Sequence, residues 1–365
     1  MPLPFIIGAA ALASVAYGAK KGYDGYRKHS DADEIIKNAQ RNFDRKKSAF
    51  NRQEQETTFA LDRLGNFEIE IGDNFKEFQA LADDLLDKLN DRRLKKLEVQ
   101  IPAYQRQKID IYVSTLGVAG TVVGAGAASA ASCFAIYGGV MQLGTASTGT
   151  AISTLSGQAA KNAILAAIGG GSIKSGGFGM VWGTRILGAA TIAPIFSVVG
   201  LAYSAHGDAA MKNAAKVEEE MAKSILKMDK AINLLEKTGE YVQSIRRTLS
   251  SIYRQFAWYL RDLKRISRLI EDAKKRGIDG ENEIGKLGKD VIRSVENGYM
   301  LAAILADLIT TPIFKIRHED GKPVLQEDGA PEMEKDEDGS MILNDKILDE
   351  ALVKAKSQAI EYHHN

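Results

Sequence analysis

Between Ile111 and Ala160 no side chain carries a charge, and the stretch is built from glycine, alanine, serine and threonine among scattered larger apolar residues. A run of this length and composition has to be sheltered from water, by the rest of the protein, by a bilayer or by a partner. It reads as a helix through about Met141, a Ser/Thr/Gly loop from Gly144 to Gly157, and a second helical region. Lys161, Lys174 and Arg185 interrupt that region before a further uncharged run from Ile186 to His206. Small residues recur at four-residue steps in Gly120, Gly124, Ala128 and Ser132 and again in Gly179 and Gly183. With Gly117 and Gly188 they form a candidate packing ladder, because nothing larger than a methyl or hydroxymethyl keeps two helix backbones apart.

Magnitudes narrow what this centre can do. Val113 to Ala135 holds six Leu, Ile, Phe or Val residues, so the summed insertion preference is roughly −3 kcal/mol before glycine, serine and threonine erode it. Each of the three cations beyond would cost about 2.5 to 3.5 kcal/mol at the bilayer midplane. A segment that avoids water yet grips lipid weakly is expected to insert conditionally, its helices sheltered until something exposes them. A close-packed water-soluble core is the competing reading of the same residues.

Two arms flank the centre. Ser30 followed by Asp31, Asp33 and Glu34 has the pattern of a helix start. Apolar residues then recur at three- and four-residue steps in Ile35, Ala39, Phe43 and Phe50, and in Phe67, Ile71, Phe75, Phe78, Leu81, Leu85 and Leu89. Gly65 and Gly72 are candidate breaks, and Pro102 is expected to end or restart the helix. The second arm is more regular: Val217, Met221, Ile225, Met228, Ile232, Leu235, Val242, Leu249, Ile252, Phe256, Leu263, Ile266 and Ile270 keep a heptad pattern. The first arm is its natural partner.

The ends are shorter units. Pro2 to Ala19 is uncharged and is followed by Lys20 and Lys21; it reads as a membrane helix, a helix packed on the central hairpin, or a cleaved signal. A helix after Gly280 stops at Pro312. Ile313 to Leu325, turning at Glu319, Asp320 and Gly321, predicts a small β-hairpin. An acidic, partly disordered tail and a last short helix from Ile347 to Lys356 follow. The expected class is therefore all-α, with long antiparallel coiled-coil arms flanking a glycine- and alanine-rich apolar helical hairpin. The expected units are an apolar N-terminal helix (1–29), arm 1 (30–108), the hairpin (109–207), arm 2 (208–277), a helix (278–312), and the β-hairpin with its tail (313–365).

Chemistry is thin in this sequence. The formal net charge is +1, which gives no protein-wide footprint for nucleic acid. The single cysteine, Cys133, excludes an intramolecular disulfide and a cysteine-based zinc site. Gly169 to Ser175 has Ile173 where a phosphate-binding loop needs glycine before its lysine. No nucleophile elbow and no His-Glu-x-x-His pair occur, and His29, His206, His318, His363 and His364 are scattered. No enzymatic activity, cofactor or metal is expected. One strip stands out: Arg246, Arg247, Arg254, Arg261, Lys264, Arg265 and Arg268 face only Asp262 and are interleaved with Tyr253, Phe256, Trp258 and Tyr259. It reads as a solvated face paired with acids elsewhere in the chain, as a contact for anionic lipid, or as a contact for nucleic acid.

The run from Gly149 to Ser172, continuing through Gly176 and Met180 to Gly188, resembles a widespread bacterial family of glycine-zipper helical proteins often labelled chemotaxis proteins. Thr311-Pro312 before Asp320-Gly321 matches that family's late Thr-Pro and Asp-Gly pattern. The resemblance brings no catalytic residues. In architecture alone, a coiled-coil body holding an apolar hairpin looks like the α-helical pore-forming toxins and the apolipoprotein L type. The expectation is a membrane-active bacterial effector, pore-forming or membrane-perturbing, contacting lipid and self-associating, either membrane-associated or cytoplasmic with conditional insertion. The alternative is a cytoplasmic coiled-coil adaptor or scaffold acting through a protein partner such as a GTPase. Nucleic acid is not an expected partner.

Overall fold

The computed structural model describes residues 19–90, 207–276, 280–320, 322–324, 332–337 and 339–362, with the isolated positions Ile109 and Ala135. Four helices account for most of these residues: α1 (Ala19–Asn90), α2 (Gly207–Lys275), α3 (Gly280–Ile309) and α4 (Asp345–Ile360). The protein is all-α, with one two-stranded ladder of β1 (His318–Glu319) and β2 (Lys322–Pro323) among the described residues.

α1 corrects two sequence expectations. It begins at Ala19 and passes through Ser30 without a break, because a capping pattern is overridden where the upstream residues are themselves helical. It also runs through Gly65 and Gly72. Each glycine costs about 1 kcal/mol in a helix interior, but both lie on the buried side beside Leu64, Ile71 and Phe75, all fully enclosed. Packing there outweighs propensity.

The chain forms two compact units that do not follow the helix boundaries. α1 up to Ala49 and α2 up to Asp229 belong to the first. Its core begins with Ala32 against Ala214, with Ile35, Ile36 and Met211 packed around them. Phe43 and Val217 are buried as well. Lys46 pairs with Asp229 at 2.5 Å.

The second unit contains α1 from Phe50, α2 from Lys230, and everything after it. Leu61, Leu64, Glu68, Ile71, Phe75, Phe78, Ala82 and Leu85 form an unbroken three-four row of buried residues on α1. On α2 the same alternation runs from Ala231 through Leu235, Val242, Leu249, Phe256 and Leu263 to Ala273. The Thr57 hydroxyl donates to the Leu235 carbonyl at 3.1 Å, Phe67 meets Tyr253 edge-on, Phe75 meets Phe256, and Glu77 pairs with Lys264 at 2.7 Å. Residue numbers climb together on both helices. The arms are therefore parallel in this unit, not antiparallel as expected, and Ala32 with Ala214 and Lys46 with Asp229 give the same sense in the first unit. A heptad stripe is blind to direction, and only a short connection forces antiparallel neighbours; here the whole stretch between Asn90 and Gly207 separates them.

α3 follows α2 after a short connection and turns back along it, with Asn297 opposite Tyr259 and Ser294 opposite Asp262. Phe78 of α1 reaches this third helix, its ring 5.3 Å from Phe256 and 5.2 Å from Tyr299. Gly298 makes the approach feasible, since a methyl group there would enter the Phe78 ring. Beyond Pro312 the chain builds a small β layer that buries Ile313, Phe314, Ile316, Met333 and Met341. Three backbone segments close a ring: Lys315 N–H donates to Ile342, Ile342 N–H to Glu334, and Glu334 N–H to Lys315, at 2.9, 3.1 and 2.8 Å. The predicted hairpin is its outer edge, with Asp320 in the turn at a φ of 51°, a conformation that aspartate tolerates better than most residues. The described part of the acidic segment, expected to be partly disordered, thus contributes two members of this layer. Asn344 fastens the layer to α4 by donating its amide to the Pro312 carbonyl at 3.1 Å.

Candidate functional site

The described residues with the clearest chemical character lie on α2, on the strip singled out by its arginines and aromatics. The heptad seam decides which of them are available. With Leu235, Val242, Leu249, Phe256 and Leu263 facing α1, positions five residues further on point directly away from the seam. Arg247, Arg254, Arg261 and Arg268 occupy that outermost position and all are exposed. Arg247 donates to the neutral Gln243 side chain at 3.3 Å.

The remaining predicted members are paired or partly buried. Lys264 is held by Glu77 of α1. Arg265 is bound to Asp262 one turn back, its Nη2 2.7 Å and its Nε 3.2 Å from the same oxygen. Arg246 and Trp258 are half-buried, with Trp258 edge-on to Tyr259 at 5.0 Å. Tyr253 is half-buried beneath the row; burial first, then the Glu70 and Glu77 carboxyls, push its hydroxyl pKa up, while Arg261 pulls it down. The strip thus divides into an exposed basic row without carboxylate partners among the described residues and a second set that is paired or partly buried.

Sequence reasoning missed the polar seam between α2 and α3. Asp262 is buried and accepts from the Ser294 hydroxyl at 2.8 Å besides its arginine. The buried Tyr259 hydroxyl donates to the Tyr362 carbonyl at 3.0 Å and accepts from the Asn297 amide at 2.9 Å. Buried polar groups need such partners, and a serine and an asparagine inside an apolar helix were the only signal. The row also extends one heptad further, to the exposed Lys275, visible in the sequence only once the outward register is known. A groove of about 790 Å³ lies between α2, the β layer and α4. Its lysines Lys230, Lys237 and Lys315 stand among Asp336, Asp345 and Asp349, so it presents no field of one sign.

Among the described residues no group of three or more His, Cys, Asp or Glu is placed to hold a metal ion, and no helix is long and apolar enough to cross a membrane. The packing ladder of Gly117, Gly120, Gly124, Ala128, Ser132, Gly179, Gly183 and Gly188 lies outside the described residues, as do Pro102 and the glycine-rich run from Gly149 to Gly188 that carries most of the glycine-zipper resemblance. No known protein family, no curated protein and no solved structure matches the chain.

Proposed function

We propose that this is a membrane-active helical protein in which a helical body carries a weakly inserting apolar segment, acting on bilayers as a pore-forming or membrane-perturbing effector. The observation that carries the reading is the uncharged run from Ile111 to Ala160, joined to a body whose two long helices are paired by their own heptad cores. The weak grip of that run on lipid suits insertion on demand. The exposed basic row supports the same reading, since anionic headgroups attract such cations.

The test is membrane fractionation after a carbonate wash, together with dye release from anionic liposomes. Release by the wild type and its loss in Gly124→Leu, with helicity retained, are the expected results, because leucine there blocks close helix approach. Soluble recovery with no release would favour the second reading, a coiled-coil adaptor acting through a protein partner, which the pairing of α1 with α2 in the second unit also suits.

A further inference from the structure

We propose that the outward face of α2 is a docking surface for an anionic lipid leaflet, made by Arg247, Arg254, Arg261, Arg268 and Lys275. The proposal rests on the membrane reading above and names the surface that first meets the bilayer. These five residues repeat at intervals of seven and all are exposed. None of them forms an ion pair among the described residues, whereas the neighbouring Lys264 and Arg265 are each bound to a carboxylate.

Shape selects the partner. Seven residues advance a helix by about 10.5 Å and turn it about 20° short of two full turns, so the cations lie along roughly 40 Å of helix in a row that winds slowly around it. A leaflet offers headgroups along the whole length, and the long flexible arginine and lysine side chains can reach across that slow turn. A line along a nucleic-acid duplex crosses each phosphate backbone once per turn of about 34 Å, so two or three of the five would find a phosphate. Between the first arginines Ser250, Ser251 and Ala257 are short, so the guanidinium groups of Arg247 and Arg254 stand proud of the helix surface. Trp258 lies between Arg254 and Arg261, and the exposed Glu271 and Asp272 lie between Arg268 and Lys275, which makes the arginines the stronger part of the row. Spacing near the Debye length at physiological salt also limits repulsion between neighbouring cations.

Flotation of the full chain with vesicles containing phosphatidylserine, compared with pure phosphatidylcholine vesicles, tests this. Each cation near an anionic surface contributes about fivefold to apparent affinity. The triple variant Arg254→Ala/Arg261→Ala/Arg268→Ala should therefore bind phosphatidylserine vesicles about a hundredfold more weakly, with unchanged helicity because alanine favours helix. The triple variant Arg45→Ala/Lys47→Ala/Arg52→Ala removes the same charge from exposed positions on α1 and should bind like the wild type. Equal loss in both variants would overturn the row, as would stronger wild-type binding to a duplex oligonucleotide that the α2 variant abolishes. An α2 variant that still floats and still releases dye would sink the row alone. A wild type that neither floats nor releases dye would sink the membrane reading with it.

Discussion

Glu68 occupies a position that its neighbours Leu61, Leu64, Ile71 and Phe75 fill with hydrocarbon, and it is 2% exposed. Burial pushes its carboxyl pKa well above the ordinary value of 4.5, since a charge in that seam lacks water to solvate it. The folded state therefore holds this proton more tightly than the unfolded chain. For such a group stability is not lost in acid; it falls as pH rises above about 4.5, until the folded-state carboxyl itself ionises. Glu68→Gln, which keeps the shape and removes the ionisation, should match the wild type near pH 4.5 and become progressively more stable than it above. Urea unfolding across that range checks this, and a variant less stable at every pH would show that the carboxyl has a structural role the amide cannot fill. The sequence showed a glutamate on the first arm but did not flag it, because its register is secure only once Leu64 and Ile71 are known to face α2.

Helices were the most legible level. The apolar spacing from Val217 to Ile270 marks residues that are buried or partly buried in the structure, on a helix that runs from Gly207 to Lys275. Direction was illegible, since the pattern is the same read either way. Parallel pairing predicts that Glu77→Cys with Lys264→Cys crosslinks rapidly under mild oxidation, in a background with Cys133 replaced by serine, while Glu77→Cys with Asn233→Cys does not. The reverse result would restore antiparallel arms. The β layer was half legible. Asp320-Gly321 announced a turn, but the return of Met333 and Met341 to close the ring was hidden, because two methionines in an acidic stretch carry little hydrophobic signal while their burial depends on Phe314 and Ile316.

At the scale of the whole molecule, a heptad-paired body accompanies a central segment whose composition fits lipid better than water. Of the predicted site, the arginine strip was legible as composition. Its division into Lys264 and Arg265, which are bound within the protein, and the outward row was not, because that depends on which acids the fold brings near. The chain offers its own reporter on the central claim, since its single cysteine, Cys133, lies within the uncharged run. Labelled there with an environment-sensitive fluorophore and mixed with phosphatidylserine vesicles, the protein should show brighter, blue-shifted emission that lipid-attached nitroxides quench and aqueous iodide does not. Emission unchanged by vesicles, with no quenching from within the bilayer, would contradict the account.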